Sequence, residues 1–442
     1  MTMTRRTLTH SALATAALVG TGTAAKTTNT DVIVIGAGAA GLAATDAVMR
    51  AGHSVVCIEA MDRIGGRVFT DTTTFGVPYD LGAHWLHHIA LNPFVDIGKS
   101  HGFTMYKQPD DMQAYYKGKP LNPTDTIALE TEHTRMFKAL FDSAQAGNDR
   151  VATYIRQPQT EWTLTSEAMI GSLSMARDLE NVSDLDWYIA EEGEDWFCKQ
   201  GFGTLVAHHW ADVPVTLNTT VTSIDADRDT VTVQTSGGPI RAKAVILTVS
   251  QGVLASGTLD IRPEMDSALV SAISDITLGS YNHIALQFSD GTIDTPADTW
   301  VGYHLTERHN GSPKGGAVLT NSGGTGLCYF EIGGGFGHWL ESQGEQAMID
   351  FALSEMCDVF GHDIKNGFIK GHASRWGYEP TVLGSYSGTV PGKANTRSAL
   401  RTPIATRIFL AGEATSIGEQ GTVSGAHKEG LRAAATVSAL LA

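Results

Sequence analysis

The chain has 442 residues, enough for two domains or one composite with a substantial core. Its formal net charge of −16 argues against nucleic acid or anionic lipid as a partner and favours a cationic substrate. The four cysteines, Cys57, Cys198, Cys328 and Cys357, form no C-x-x-C pair, so neither a disulfide framework nor a zinc site is indicated.

Residues 1–25 hold the pair Arg5-Arg6, a short Ala/Leu/Val core and small residues before Lys26. That layout resembles a twin-arginine export signal and predicts a periplasmic or secreted protein that leaves the cytoplasm already folded. Loss of this leader takes the net charge from −16 to −18. Beyond it no apolar run reaches the ~20 residues a membrane span requires.

The first strongly patterned segment is DVIVIGAGAAGLAATDAVMR, residues 31–50. A β-branched run, Val32 to Ile35, enters Gly36-x-Gly38-x-x-Gly41, an Ala-rich helix follows, and a second strand runs from Ser54 to Ile58 into Glu59. This is the order of a dinucleotide site. The glycines permit a tight turn, close approach to a pyrophosphate and close helix–strand packing. The phosphates sit at the helix N-terminus beside Ala40, and a carboxylate ending the second strand takes ribose hydroxyls. Further on, DLGAHWLHHIALNP places His84, His87 and His88 around Trp85. Its flanking Gly82 and Asn92-Pro93 read as a loop, which leaves a metal site, a catalytic histidine and an aromatic turn open.

Residues 94–205 are expected to be largely helical, on patterns such as TEHTRMFKALFDSAQ, and residues 256–384 alternate like strands. The stretch DWYIAEEGEDWF, residues 186–197, either attracts an ammonium group by charge and cation–π contact or forms a solvated face.

Immediately after Glu59 and Ala60 comes MDRIGGRVFTD, which resembles the second glycine motif of the flavin amine oxidase superfamily, in its branch of polyamine oxidases and lysine-specific histone demethylases. The resemblance continues through DLGAHWLH, through residues 213–254, and through SRWGYEPTVLGSYSGTVPG and TRIFLAGEATSIGEQGTVSGAHKEG. It implies an α/β fold: a Rossmann-like FAD-binding domain from three segments (30–93, 206–255, 385–442) and an α+β substrate domain (94–205, 256–384) with a mixed sheet and helical flank.

The implied FAD contacts are Gly36, Gly38, Ala40, Gly41, Glu59, Ala60, Gly66, Arg67, Gly82, Ala83, His84, Trp85, Val221, Gly412, Glu413, Thr422 and Val423. Met61 stands where the family more often has arginine. Ser385 stands where monoamine oxidases carry the flavin-linking cysteine, so FAD is expected to be non-covalent. On the substrate side the resemblance implies His87, Tyr386 and Trp376, with Thr422 in place of a second cage aromatic. The resemblance thus implies that the histidine run walls the flavin ring with no metal; His88 has no counterpart and is read as structural.

Where the family has a lysine behind the flavin, alternation of SYNHIALQF places His283, or Asn282 after a one-residue slip. A histidine supplies positive charge only when protonated, so reaction with dioxygen is expected to quicken as pH falls toward ~6. The implied activity is oxidation of a polyamine or N-alkylated amine to an imine, hydrolysed to aldehyde and a smaller amine, with dioxygen or a periplasmic carrier taking the electrons. An L-amino-acid oxidase would need a carboxylate-binding arginine, for which Arg375 is the nearest candidate. The remaining alternative is a non-catalytic flavoprotein.

Overall fold

The computed structural model describes residues 28–109 and 112–442; the proposed export signal lies outside them. At its centre is a parallel sheet in the order Val215–Thr216, Val55–Ile58, Val32–Ile35, Ala244–Leu247, Ile408–Leu410. The Val32–Ile35 and Ala244–Leu247 strands are buried throughout, as an apolar run covered on both faces requires. Helices Ala39–Arg50 and Val423–Leu441 cover one face. They touch backbone to backbone, since a Cβ on Gly430 would stand 2.1 Å from the Ala40 carbonyl oxygen. A second sheet covers the other face, where Ile224, Val231 and Val233 interleave with Ile33, Ile35, Val245 and Leu247.

The expected segment borders need correction. Strand Asp260–Arg262 pairs with Val221–Ala226, and helix Ser267–Asp275 sends Leu269, Ala272 and Ile273 into the same core. The middle FAD segment therefore runs to about residue 275 instead of ending at 255. Helices Pro93–Ser100 and Phe202–His209 likewise place Phe94, Phe202 and Leu205 in one cluster with Leu42 and Ala433, so the seams at 93 and 206 fall inside that core.

The other half is a seven-stranded mixed sheet. Its order is Phe368–Ala373, Tyr281–Phe288, Leu327–Gly333, Ala317–Thr320, Thr299–Tyr303, Met112–Tyr116, Lys119–Pro120. Only the Thr299–Tyr303 and Met112–Tyr116 pair is parallel. The helical expectation for 94–205 holds for Pro123–Gln145, whose N-terminus is capped by Asn122, but Met105–Lys107 and Met112–Tyr116 are strands. These short segments acquire their conformation from partner strands distant in sequence.

Candidate active site

Between the two halves lies a cavity of about 790 Å³, within the range of cofactor and substrate pockets. At one end it meets the N-terminus of helix Ala39–Arg50, where Gly38 supplies no side-chain cap and leaves backbone N–H groups facing the space. Gly36, Gly38, Ala40, Glu59, Ala60, Gly66, Arg67 and Val221 all line this end. Gly41 does not. It lies behind the loop, where a Cβ would stand 1.9 Å from the Gly36 carbonyl oxygen, and thus serves helix–strand packing.

Glu59 is held by two backbone donors, the Ala37 N–H at 2.6 Å and the Met61 N–H at 2.9 Å, which fixes its carboxylate at the end of its strand. Gly412, Glu413, Thr422 and Val423 line the opposite wall. Both Glu413 oxygens are engaged by protein donors: Arg67 at 3.0 Å, the Ser387 hydroxyl at 2.6 Å and the Gly421 N–H at 3.0 Å. Burial pushes the Glu413 pKa up, but Arg67, Ser387 and Arg397 outweigh it and hold it below the usual carboxylate value. Thr422 caps helix Val423–Leu441 by accepting the Gly425 N–H at 2.9 Å, so that helix also points its positive end into the cavity. Two helix N-termini, an arginine and a strand-end carboxylate in one elongated space suit a dinucleotide with a flavin ring. The residues fit FAD.

Gly82, Ala83, His84 and Trp85 form a non-helical floor, as the loop reading expects. His84 Nδ1 lies 2.8 Å from Asp80 Oδ2, and Trp85 donates its indole N–H to Gln108 at 2.7 Å. The His87 ring lies parallel to Trp85, 6.4 Å between centroids, and its Nδ1 is 3.0 Å from Asp195 Oδ2. His88 also reaches the wall, at a backbone φ of 50°. Trp376 is buried and donates to the Leu81 carbonyl at 3.2 Å.

Tyr386 donates to the Ser174 carbonyl at 2.9 Å. Its ring lies 6.0 Å from Tyr281, a second aromatic that the sequence reading did not single out. Ser385 accepts the Tyr281 N–H at 2.6 Å and donates to the Tyr281 carbonyl at 2.7 Å, so its hydroxyl is committed to the backbone.

The register of strand Tyr281–Phe288 settles which side chain faces the cavity. His283 lines it, while Asn282 turns to the other face and accepts from the Ser374 hydroxyl and the Trp376 N–H, both at 3.2 Å. His283 Nδ1 is 2.8 Å from the Asp80 carbonyl oxygen. Burial, with His84 adding to it, pushes the His283 pKa down to about 4 even though the Asp80 contacts oppose the shift. The imidazole is therefore neutral at pH 6, and the expected acid-side gain from its charge near that pH does not follow.

Acidic side chains outnumber basic ones on the wall. Glu59, Glu191, Glu192, Asp195, Glu331 and Glu413 face the cavity, and among the described residues Arg67 is the sole arginine or lysine there. Arg375 is elsewhere, its guanidinium 5.0 Å from the Tyr378 ring. Glu331 escaped the sequence reading. Its one signal is a charged residue in LCYFEIG, a strand buried at every position.

This fold and this cavity define a flavin-dependent amine oxidoreductase. The chain belongs to the family described as flavin containing amine oxidoreductase, whose profile matches residues 128–438, while that of the NAD(P)-binding Rossmann-like domain matches 34–96. FAD is its cofactor. Polyamine oxidase 4 of Oryza sativa subsp. japonica is 28% identical, over 91% of this chain and 87% of that one. Polyamine oxidase 2 of Arabidopsis thaliana is also 28% identical, over 92% and 88%. Wild-type putrescine oxidase bound to putrescine superposes with a TM-score of 0.76 at 18% identity, over 94% of this chain and all of that one, showing the shared fold.

Proposed function

We propose that the substrate is a di- or polyamine, or an N-alkylated amine, bound as a cation at one nitrogen and neutral at the reacting one. The observation that carries this reading is the charge of the cavity wall beyond the FAD cradle: Asp195 and Glu192 lie beside His87 and Glu191 shares the wall, while Arg67, committed to Glu413, is the one arginine or lysine among the described wall residues. Burial and the neighbouring Asp195 raise the pKa of Glu192, and His87 opposes them; a bound ammonium would favour its ionised form. The relatives called polyamine oxidases support the same class.

FAD bound in this cradle would supply the acceptor for a hydride from the amine α-carbon. The protein orients that carbon between Tyr386, Tyr281 and the His283 wall, and Trp85 and Trp376 close the floor. The resulting imine takes up water and separates into an aldehyde and a smaller amine. FAD is held without a covalent link: residue 385 is a serine, which has no thiol to form one, and its hydroxyl is engaged by the Tyr281 backbone.

Dioxygen is the proposed electron acceptor, giving hydrogen peroxide. A second reading, electron transfer to a carrier, is favoured by one observation: His283 supplies no permanent cation where the resemblance implies a lysine. The leader at 1–25 supports export in the folded state to the periplasm or beyond, where such a carrier would be met. Aldehyde, small amine and peroxide measured together with spermidine, spermine and putrescine test this reading. Stoichiometric aldehyde without peroxide would assign the carrier, and no aldehyde from any of them would refute the substrate class.

A further inference from the structure

Glu331 sits on strand Leu327–Gly333, directly across from His283 in the antiparallel register, with no exposed surface. Its Oε2 accepts the Tyr281 hydroxyl proton. Its Oε1 is buried, has no hydrogen-bond partner, and lies 3.6 Å from His283 Nε2. The neighbours fix the protons. The Asp80 carbonyl can only accept, so His283 Nδ1 carries a hydrogen and a neutral ring presents a lone pair at Nε2. Tyr281 donates to Oε2, which makes Oε2 the carbonyl-like oxygen and leaves Oε1 to carry the acid proton, aimed at that lone pair.

The rest of the surroundings add little compensating charge. Tyr329, on the same strand as Glu331, stacks on the His283 ring at 5.4 Å, Ala317 pairs with Glu331 from the other side, and the phenol of Tyr386 is nearby. His84 and Asp80 approach His283 from the floor. Burial raises the Glu331 carboxyl well above its ordinary value.

We propose that Glu331 is a positioning residue that stores one proton for His283. It is a neutral carboxylic acid at rest and passes its Oε1 proton to Nε2 when negative charge develops in the cavity. One O–H bond breaks, one N–H bond forms, no electrons transfer, and the pair stays neutral overall with its positive end on His283. Sites of this kind have long contacts that tighten when the reacting groups arrive, and 3.6 Å is such a contact. The arrangement would give His283 a transient version of the charge that a lysine holds permanently.

The inference rests on the amine-oxidase reading, but its first test does not use turnover. Infrared spectra of the FAD-loaded, oxidised protein at neutral pH should contain a carboxylic-acid C=O band that is lost in Glu331→Gln. In Tyr281→Phe, which retains the acid but removes its donor, the band should move to higher frequency. A carboxylic-acid C=O region unchanged by Glu331→Gln shows an ionised Glu331 and overturns the proposal. If Glu331→Gln does not fold, the Tyr281→Phe shift decides alone, and its absence is equally fatal.

The second test is reoxidation of the reduced holoenzyme by dioxygen. Glu331→Gln should slow it by ~100-fold, the lower range for a positioned proton donor. In a His283→Ala background the same change should cost less than about twofold, since the acid has lost its recipient. Equal losses in both backgrounds would assign Glu331 a purely structural role. If instead no amine reduces the flavin while the band behaves as expected, the amine-oxidase reading fails and the stored proton stands.

Discussion

Asp195 holds two consecutive histidines: its Oδ2 is 3.0 Å from His87 Nδ1, and its Oδ1 accepts the His88 N–H at 3.1 Å. One carboxylate thus fixes both the ring and the backbone of the cavity mouth. Asp195→Asn keeps the backbone acceptor and removes the charge. We expect KM for a diamine to rise roughly 5-fold, as for a partly exposed ion pair of about 1 kcal/mol, with KM for a monoamine unaffected. Steady-state kinetics on putrescine and a monoamine of equal length check this; equal changes for both would remove Asp195 from cation recognition.

Tyr386→Ala should lower the rate of flavin reduction by ~100-fold, since displacing a reacting atom by about 1 Å costs that much, while FAD content stays near wild type. Tyr386→Phe retains the ring and loses only the bond to Ser174, so most of the rate should return. Stopped-flow absorbance measures both. An unchanged rate in Tyr386→Ala would make the ring a packing element.

Gly41→Ala should yield protein without flavin. The added Cβ would stand 1.9 Å from the Gly36 carbonyl oxygen, and only movement of the phosphate loop can relieve the clash. The ratio of flavin to protein absorbance after purification reports the outcome, and full occupancy would contradict the packing described.

His427, packed against Phe94 and Trp210, is pushed down to about 4 by burial first and by His209 and Lys428 next. Its folded-state pKa lies below the unfolded value of ~6.5, so the unfolded chain binds the proton more readily and stability falls as pH drops from about 7 toward 4. The loss attributable to this residue is about 1–2 kcal/mol by pH ~5. His427→Leu should therefore lose less Tm than wild type between those pH values. An identical loss would mean that His427 does not carry this penalty.

The FAD cradle was legible because its motifs encode backbone requirements. A close approach demands Gly41, and a strand-end acid in fixed order, Glu59, has few other uses. Alternation along 281–288 narrowed the cavity-facing residue to two, and the Ser374 and Trp376 contacts of Asn282 left His283 on the cavity side. Glu331 was out of reach because its position beside His283 is set by strand pairing, which local sequence does not encode. The segment borders were missed for a related reason: Leu269, Ile273 and Phe94 are ordinary apolar helix residues, and only tertiary packing assigns them to the cofactor half.

Anaerobic titration of the purified holoenzyme with an amine panel, following the flavin absorbance, shows directly whether this cavity oxidises cationic amines. Spermidine, spermine, putrescine or their acetylated forms should bleach the flavin faster than neutral L-amino acids, and acid precipitation of the same sample should release yellow FAD into the supernatant. Faster bleaching by L-amino acids, or none by any amine, would contradict the account.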